Sequence, residues 1–223
     1  MRVNDISSIG KLVLQEKQAV IIGLSIRNNY FRGNTIEQIT DWAKDQFRIL
    51  IFMLPDEPAI DTLSALGYSP EKARQKAMLA CNNLENKCLR IIEKFNIDDK
   101  VQIVRWAKLK HNGTYQHSYF KLSQLYDEDE LFRLDIRRAT RQLIERHKTK
   151  LPIDQAIDMG SQFLIKELSF IIAASEILNL NCASAYLYHR QFDVHSNLLA
   201  GRYKIQVPVD SGYIIGEVNP ALV

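Results

Sequence analysis

Residues 18–55, QAVIIGLSIRNNYFRGNTIEQITDWAKDQFRILIFMLP, decide how this chain is read. The stretch opens on an apolar run, Ala19 to Ile22, which breaks at Gly23 and leads through Ser25 into a polar patch with Asn28, Asn29 and Tyr30. It closes on a second run, RILIFMLP. Short continuous runs rich in Ile, Val and Phe are the pattern of strands buried on both faces of a parallel sheet. Between the two, Ile36, Ile39, Trp42, Ala43 and Phe47 recur at helical spacing, with Thr35 as the expected N-cap. Strand, helix, strand is a βαβ unit with a right-handed crossover.

Further elements extend the pattern in both directions. A long helix is expected from about Ser69 to Phe95, a strand at KVQIVRW, a helix-rich stretch from about Asp127 to Leu178, and late strands at ASAYLYH and GYIIGEV. Alternation of this kind argues for a doubly wound, mostly parallel α/β sheet. No repeat or linker-like segment interrupts the sequence, so residues 1–223 are read as a single domain. Its 46% apolar and 25% charged residues suit a soluble protein with a sizeable core. No stretch has the length of a transmembrane helix, and no membrane partner is expected. The N-terminus lacks a signal-type apolar segment, and Cys81, Cys88 and Cys182 form no CxxC pair. Reduced cysteines in a cytoplasmic protein, monomeric by default, are the expectation.

In open α/β sheets ligands bind at the carboxyl ends of the strands, which is where Gly23 and Ser25 fall. Gly23 lets a ligand approach the backbone closely and Ser25 offers a hydroxyl, although a tight turn in which Ser25 merely caps fits the same residues. Gly23-Leu24-Ser25 matches the first half of a GxSxG elbow, but Arg27 stands where the last glycine belongs. GxGxxG and GxxxxGK[ST] are absent, so neither a dinucleotide nor a nucleotide phosphate loop is expected. The five histidines form no metal-ligand pattern, and no metal or other cofactor is implied.

Two further signals stand out. At 100° per residue Lys72, Lys76, Lys87, Arg90 and Lys94 fall within an arc of about 60° on the long helix, opposite its apolar side. A solvated face explains such a stripe, and so does a track for a phosphate backbone. Arg133, Arg137, Arg138, Arg141 and Arg146 form a second basic run. In FLIKELSFIIAASEILN, Glu167 sits among apolar neighbours, where a carboxylate needs a cation or hydrogen-bond donors. Twenty-one residues on, YLYHR brings Tyr188 and His189 to the end of a strand, where ordinary packing is the alternative reading.

Together VIIGLSIRNNYF, FLIKE and the Tyr188-His189 pair resemble the cyclodipeptide synthases, which make cyclic dipeptides from aminoacyl-tRNAs. The resemblance runs from about residue 19 to 95 and from about 160 to 200, and Asn28, Tyr188 and His189 match an Asn-Tyr-His subfamily. It implies a Rossmann-like fold similar to the catalytic domain of class I tyrosyl- and tryptophanyl-tRNA synthetases. It also implies ping-pong acyl transfer from aminoacyl-tRNA to Ser25, with a second aminoacyl-tRNA donating its amine to form a dipeptidyl-enzyme that cyclises. Glu167 then holds the substrate ammonium, Tyr188 relays protons, and Gly23 leaves room for the acyl group and its oxyanion. Asn28 and His189 shape the site. The basic stripe Lys72, Lys76, Lys87, Arg90 and Lys94 is then the tRNA track. The family usually has Tyr where Phe163 stands, so a hydroxyl that helps bind the amine is missing. Ile21 and Met53 are expected to line an apolar substrate pocket suited to Leu, Met or Phe. A non-catalytic tRNA-binding module and a serine hydrolase are the competing expectations. The hydrolase requires a His-acid pair beside Ser25.

Overall fold

The computed structural model describes residues 1–32, 34–190, 192–208 and 210–218. Its first half runs β1 (Arg2–Ile6), α1 (Ser8–Gln15), β2 (Ala19–Gly23), α2 (Thr35–Gln46), β3 (Ile49–Leu54), α3 (Pro58–Ala65), α4 (Pro70–Phe95) and β4 (Val101–Arg105). The second half runs α5 (Gly113–Glu128), α6 (Glu130–Glu145), α7 (Ile153–Ile171), α8 (Ala174–Ile177), β5 (Ser184–Tyr188), α9 (Asp193–Leu199) and β6 (Ser211–Glu217). The six strands lie in the order β1-β6-β5-β2-β3-β4, all parallel except β1, which pairs antiparallel with β6. The chain winds one way from β2 through β3 to β4, then returns to place β5 on the other side of β2. The switch point of the sheet therefore falls between β2 and β5, where a ligand crevice is expected.

Strand parity sorts the core into two layers. Val20, Ile22, Leu50, Phe52, Ala185 and Leu187 pack toward α1, α2 and α4. Ile21, Ile51, Met53, Tyr186 and Tyr213 pack toward α5, α6 and α7. On α4, Ser69 accepts a hydrogen bond from Lys72 N at 3.4 Å, Pro70 occupies the first turn, and Asn96 ends the helix in the left-handed region at φ 50°. Cys81 and Cys88 are buried and unbridged on this helix, and burial pushes both thiols up to about 12.

Five elements, β1, α1, α3, α5 and the seven-residue α9, escape the sequence pattern, and the N-cap of α2 is Asn34 rather than Thr35, which is buried inside the first turn. β1 is a half-exposed edge strand without a continuous apolar run, so nothing in RVNDI announces it. α1 and α3 have only eight residues each, too short for periodicity to register. α5 mixes tyrosines, polar residues and apolar ones around its circumference, and its start is fixed by Asn112, which accepts from Tyr115 N at 2.9 Å.

Candidate active site

β2 ends at Gly23, and the backbone then turns back, with Arg27 at φ 57°. A non-glycine residue in that region is strained and marks a loop held in place by its surroundings. Asn28 secures the turn by accepting from Tyr30 N at 3.0 Å. The loop points Ser25 across the switch point at β5, where the Tyr188 hydroxyl donates to Ser25 Oγ at 3.2 Å. His189, the next residue, stacks on Tyr30 with ring centroids 4.3 Å apart and meets the Asn28 amide through Nε2 at 3.5 Å. Burial holds His189 down to about 4, so its ring is neutral in the physiological range. Burial likewise lifts Tyr188 to about 12, so this phenol keeps its proton and acts as a donor toward Ser25.

From above, α7 lowers Glu167 onto the same place. The helix is buried on nearly every side along Leu164, Ile165, Glu167, Leu168 and Phe170. Desolvation raises the Glu167 carboxyl to about 7, against a hydrogen bond from the Tyr186 hydroxyl to Oε1 at 3.0 Å and the nearby charge of Arg190, both of which pull it down. A carboxyl near neutrality can hold an ammonium as an anion and also take up a proton. Ser25, Asn28, Phe163, Glu167, Tyr188 and His189 share one cavity of about 290 Å³, with Pro55, Ala59, Leu143 and Ile144 among its apolar walls.

Three expectations change on contact with the structure. Ile21 and Met53 do not line the cavity: they are 0% and 1% exposed in the core beneath it, because β2 and β3 are roofed there by α7 and Tyr186. Gly23 does not hold space open for an acyl group. A Cβ at this position would stand 2.2 Å from the Tyr186 oxygen, so the missing side chain accommodates that phenol. Tyr186 itself was not singled out, although its spacing of two from Tyr188 puts both on one face of β5. No histidine-acid pair stands beside Ser25 among the described residues, and the hydrolase reading falls with it.

The two basic runs also part company. On α4, Lys72, Lys76 and Arg90 are exposed and take part in no ion pair among the described residues. Lys87 is half-buried and donates to Phe31 O at 3.2 Å, and Lys94 pairs with Glu37 at 2.6 Å. On α6, Arg137 pairs with Asp158, Arg141 with Asp154 at 3.4 Å, and Arg138 with the buried Asp135 at 3.5 Å. The second run is thus largely neutralised within the fold. Arg146 instead joins Arg27, His147, Lys148 and Lys150 around a cleft of about 300 Å³ that shares Arg27, Arg146 and His147 with the serine cavity. Tyr68 ties this cleft to α4, since Lys76 and Arg27 lie 5.2 and 5.9 Å from its ring centre.

No group of His, Cys, Asp and Glu suited to a metal ion occurs among the described residues. A serine thus faces a phenol and a buried carboxyl at the switch point of a Rossmann-like sheet, beside a basic cleft. The chain belongs to the cyclodipeptide synthases: residues 1–217 match the family described as Cyclodipeptide synthase. It is similar to the cyclo(L-leucyl-L-leucyl) synthase of Staphylococcus haemolyticus, 25% identical over 210 residues, covering 92% of this chain and 89% of that one. The crystal structure of a cyclodipeptide synthase from Bacillus thermoamylovorans superposes with a TM-score of 0.87 at 23% identity, covering 96% of each chain. The structure of the cyclodipeptide synthase from Candidatus Glomeribacter gigasporarum bound to Phe-tRNAPhe gives 0.61 at 13% identity over 94% of each chain. Tyrosyl-tRNA synthetase from Archaeoglobus fulgidus gives 0.57 at 12% identity, covering 97% of this chain and 61% of its own, in keeping with the synthetase-like fold. Membership of that family makes the protein an enzyme, an aminoacyltransferase, and not a non-catalytic module of the same fold. Among the described residues no helix is long and apolar enough to cross a membrane.

Proposed function

We propose that the protein makes cyclic dipeptides by ping-pong transfer through an ester on Ser25. The observation that carries this reading is the Tyr188 hydroxyl donating to Ser25 Oγ at 3.2 Å inside the cavity that also holds Glu167. In the first step Ser25 Oγ attacks the ester carbonyl of an aminoacyl-tRNA. An Oγ–C bond forms, the bond from carbonyl carbon to ribose oxygen breaks, and the serine proton ends on the ribose hydroxyl, with Tyr188 placed to relay it. The ammonium of the bound residue then faces Glu167, which accepts its proton. The freed amine attacks the ester carbonyl of a second aminoacyl-tRNA, releasing that tRNA and leaving a dipeptide on Ser25. Attack in the opposite sense would leave the dipeptide on tRNA. Finally the new terminal amine attacks the Ser25 ester, the Oγ–C bond breaks, and the diketopiperazine departs as the serine regains its proton.

Asn28 and His189 position the loop and Tyr188, which fits a neutral His189 held by stacking, and the three residues together support a reading as a member of the Asn-Tyr-His subfamily. The tRNA lies along Lys72, Lys76 and Arg90 and reaches the cavity past Tyr68, with Lys87 and Lys94 at its margin. Apolar walls at Pro55, Ala59, Leu143 and Ile144, together with the leucyl products named for the curated relatives, point to Leu-like residues as substrates. The enzyme works as a cytoplasmic monomer. Expression in a bacterium, with mass spectrometry of the medium, tests the reading: wild type should release diketopiperazines of apolar residues and Ser25→Ala none. Continued release by the Ala variant, or products with charged side chains, overturns it.

A further inference from the structure

We infer that Tyr186 is a positioning and specificity-determining residue of this enzyme: its hydroxyl aims the Glu167 carboxylate at the substrate amine, and its ring closes the space beneath Gly23. This rests on Glu167 taking the substrate ammonium. Register places Tyr186 beside Ile21 on β2, fully within the layer that faces α7. Its ring sits among Phe170, Tyr188 and Tyr213, with centroids 6.4, 6.4 and 5.9 Å away. From there the hydroxyl reaches Glu167 Oε1 at 3.0 Å. Phe163, one turn before Glu167 on α7, supplies a ring and no donor, so Tyr186 is the side chain hydrogen-bonded to Glu167 among the described residues.

Gly23 completes the arrangement. The Tyr186 oxygen, Cζ and Cε1 lie 2.2, 2.4 and 2.8 Å from where a Cβ would be, so the phenol passes over bare backbone at the end of β2. The glycine that the sequence offers to the substrate is thus used by the protein's own side chain. With that space filled, an acyl group on Ser25 extends along Pro55, Ala59 and Leu143 instead of descending between β2 and β5.

The titration of this site isolates the effect. Glu167 is faced by Tyr186 and Tyr188 from β5, Tyr213 from β6 and Arg190 beyond β5. Burial raises all three phenols, Tyr188 to about 12 and the other two well above their ordinary value. The cavity histidines move the other way: His189 and His195 lie at about 4 and His147 below its ordinary value. Around pH 7 Glu167 changes charge while His189 and His195 stay neutral.

Four variants assayed with aminoacyl-tRNA at saturating and limiting concentration test the assignment. Tyr186→Phe keeps the shape but removes the donor that pulls Glu167 down, so the acid limb of kcat/KM should move up by roughly one pH unit, a loss of roughly 5-fold at pH 7 that is largely recovered near pH 8.5. A filler role alone would leave the limb in place. Gly23→Ala should lower product formation at least about 100-fold, and Gly23→Ala with Tyr186→Leu should regain at least about 10-fold, because leucine lacks the three conflicting atoms. If Gly23 serves the substrate, the second substitution rescues nothing. Tyr186→Leu alone should shift the products toward bulkier apolar residues. An unmoved acid limb, no rescue and an unchanged product set overturn the inference. Glu167→Gln run in parallel separates the two levels: an active Gln variant removes the reading of Glu167 itself, whereas an inactive one beside an unaffected Tyr186→Phe removes only the role of Tyr186.

Discussion

The two faces of the sheet are built to different ends. Toward α1, α2 and α4, strand residues such as Val20, Ile22, Leu50 and Phe52 meet apolar helix faces, and the layer is closed. Toward α5, α6 and α7, the same strands meet a layer that admits Glu167, Tyr186 and His195 and opens into the cavity. His195 Nε2 and Arg190 Nε are buried there without hydrogen-bond partners among the described residues, while Ser161 and Ser169 donate their hydroxyls to helix carbonyls. One face is spent on stability. The other gives some up to hold reactive groups, and the outer surfaces repeat the contrast: α4 keeps cations exposed, whereas α6 neutralises its own.

The sharpest consequence falls on Glu167. Folding lifts its carboxyl from an unfolded value of 4.5 to about 7, so the folded chain holds this proton more tightly than the unfolded one. The associated stability is complete below pH 4.5 and is lost as pH rises to about 7, a difference of about 3 kcal/mol. Glu167→Gln should therefore cut product formation by at least about 100-fold. It should also unfold at higher urea than wild type at pH 8, with the gain shrinking toward pH 4.5. Near-normal synthesis, or a stability difference independent of pH, breaks the contrast at its strongest point.

On the outer surface of the closed face, replacing Lys72, Lys76 and Arg90 by Gln should flatten the log-log dependence of tRNA affinity on salt by roughly 2 to 3 units, a little under one per lost phosphate contact. From about 50 to about 200 mM salt the wild type should therefore lose roughly 15- to 65-fold more affinity than the variant. Fluorescence anisotropy across a salt series reads it directly. An unchanged slope moves the tRNA off α4 and toward the cleft of Arg27, Arg146 and Lys150.

Phe52→Ala tests the closed face itself. It should cost about 3–5 kcal/mol in chemical denaturation, since Phe52 is wholly buried, while the folded fraction keeps its rate within about twofold. A large loss of rate in folded protein would mean that the two layers are not separable.

The smallest effect belongs to α6. Arg137→Gln with Arg141→Gln removes exposed ion pairs to Asp158 and Asp154, worth less than about 1 kcal/mol each. The salt slope of tRNA binding should not change. A slope that falls here as it does on α4 would erase the distinction between the two runs.

Both runs look alike in the sequence because their partners are distant along it. Glu37, which takes Lys94, is on α2, and the acids that take Arg137 and Arg141 are on α7. The site was legible wherever a short motif carries its own geometry. Ser25 and Asn28 follow one strand, Tyr188 and His189 end another, and Phe163 and Glu167 are one helical turn apart. What was illegible depended on how separate segments interlock. Period two puts Ile21, Gly23 and Ser25 on one face, but whether Ile21 and Gly23 meet substrate or protein depends on Tyr186, which lies more than 160 residues away. Met53 was misplaced for the same reason: strand parity names its face and says nothing of the helix α7 that roofs it.

The account turns on the ester at Ser25, and intact-mass analysis reads it most directly. Wild-type protein mixed with leucyl-tRNA and quenched early should gain one aminoacyl mass, released by a second equivalent of leucyl-tRNA and mapped by peptide digestion to Ser25. Ser25→Ala should gain none while still binding tRNA with the same salt dependence. A full-strength adduct on the Ala variant, or one mapped to another side chain, contradicts it.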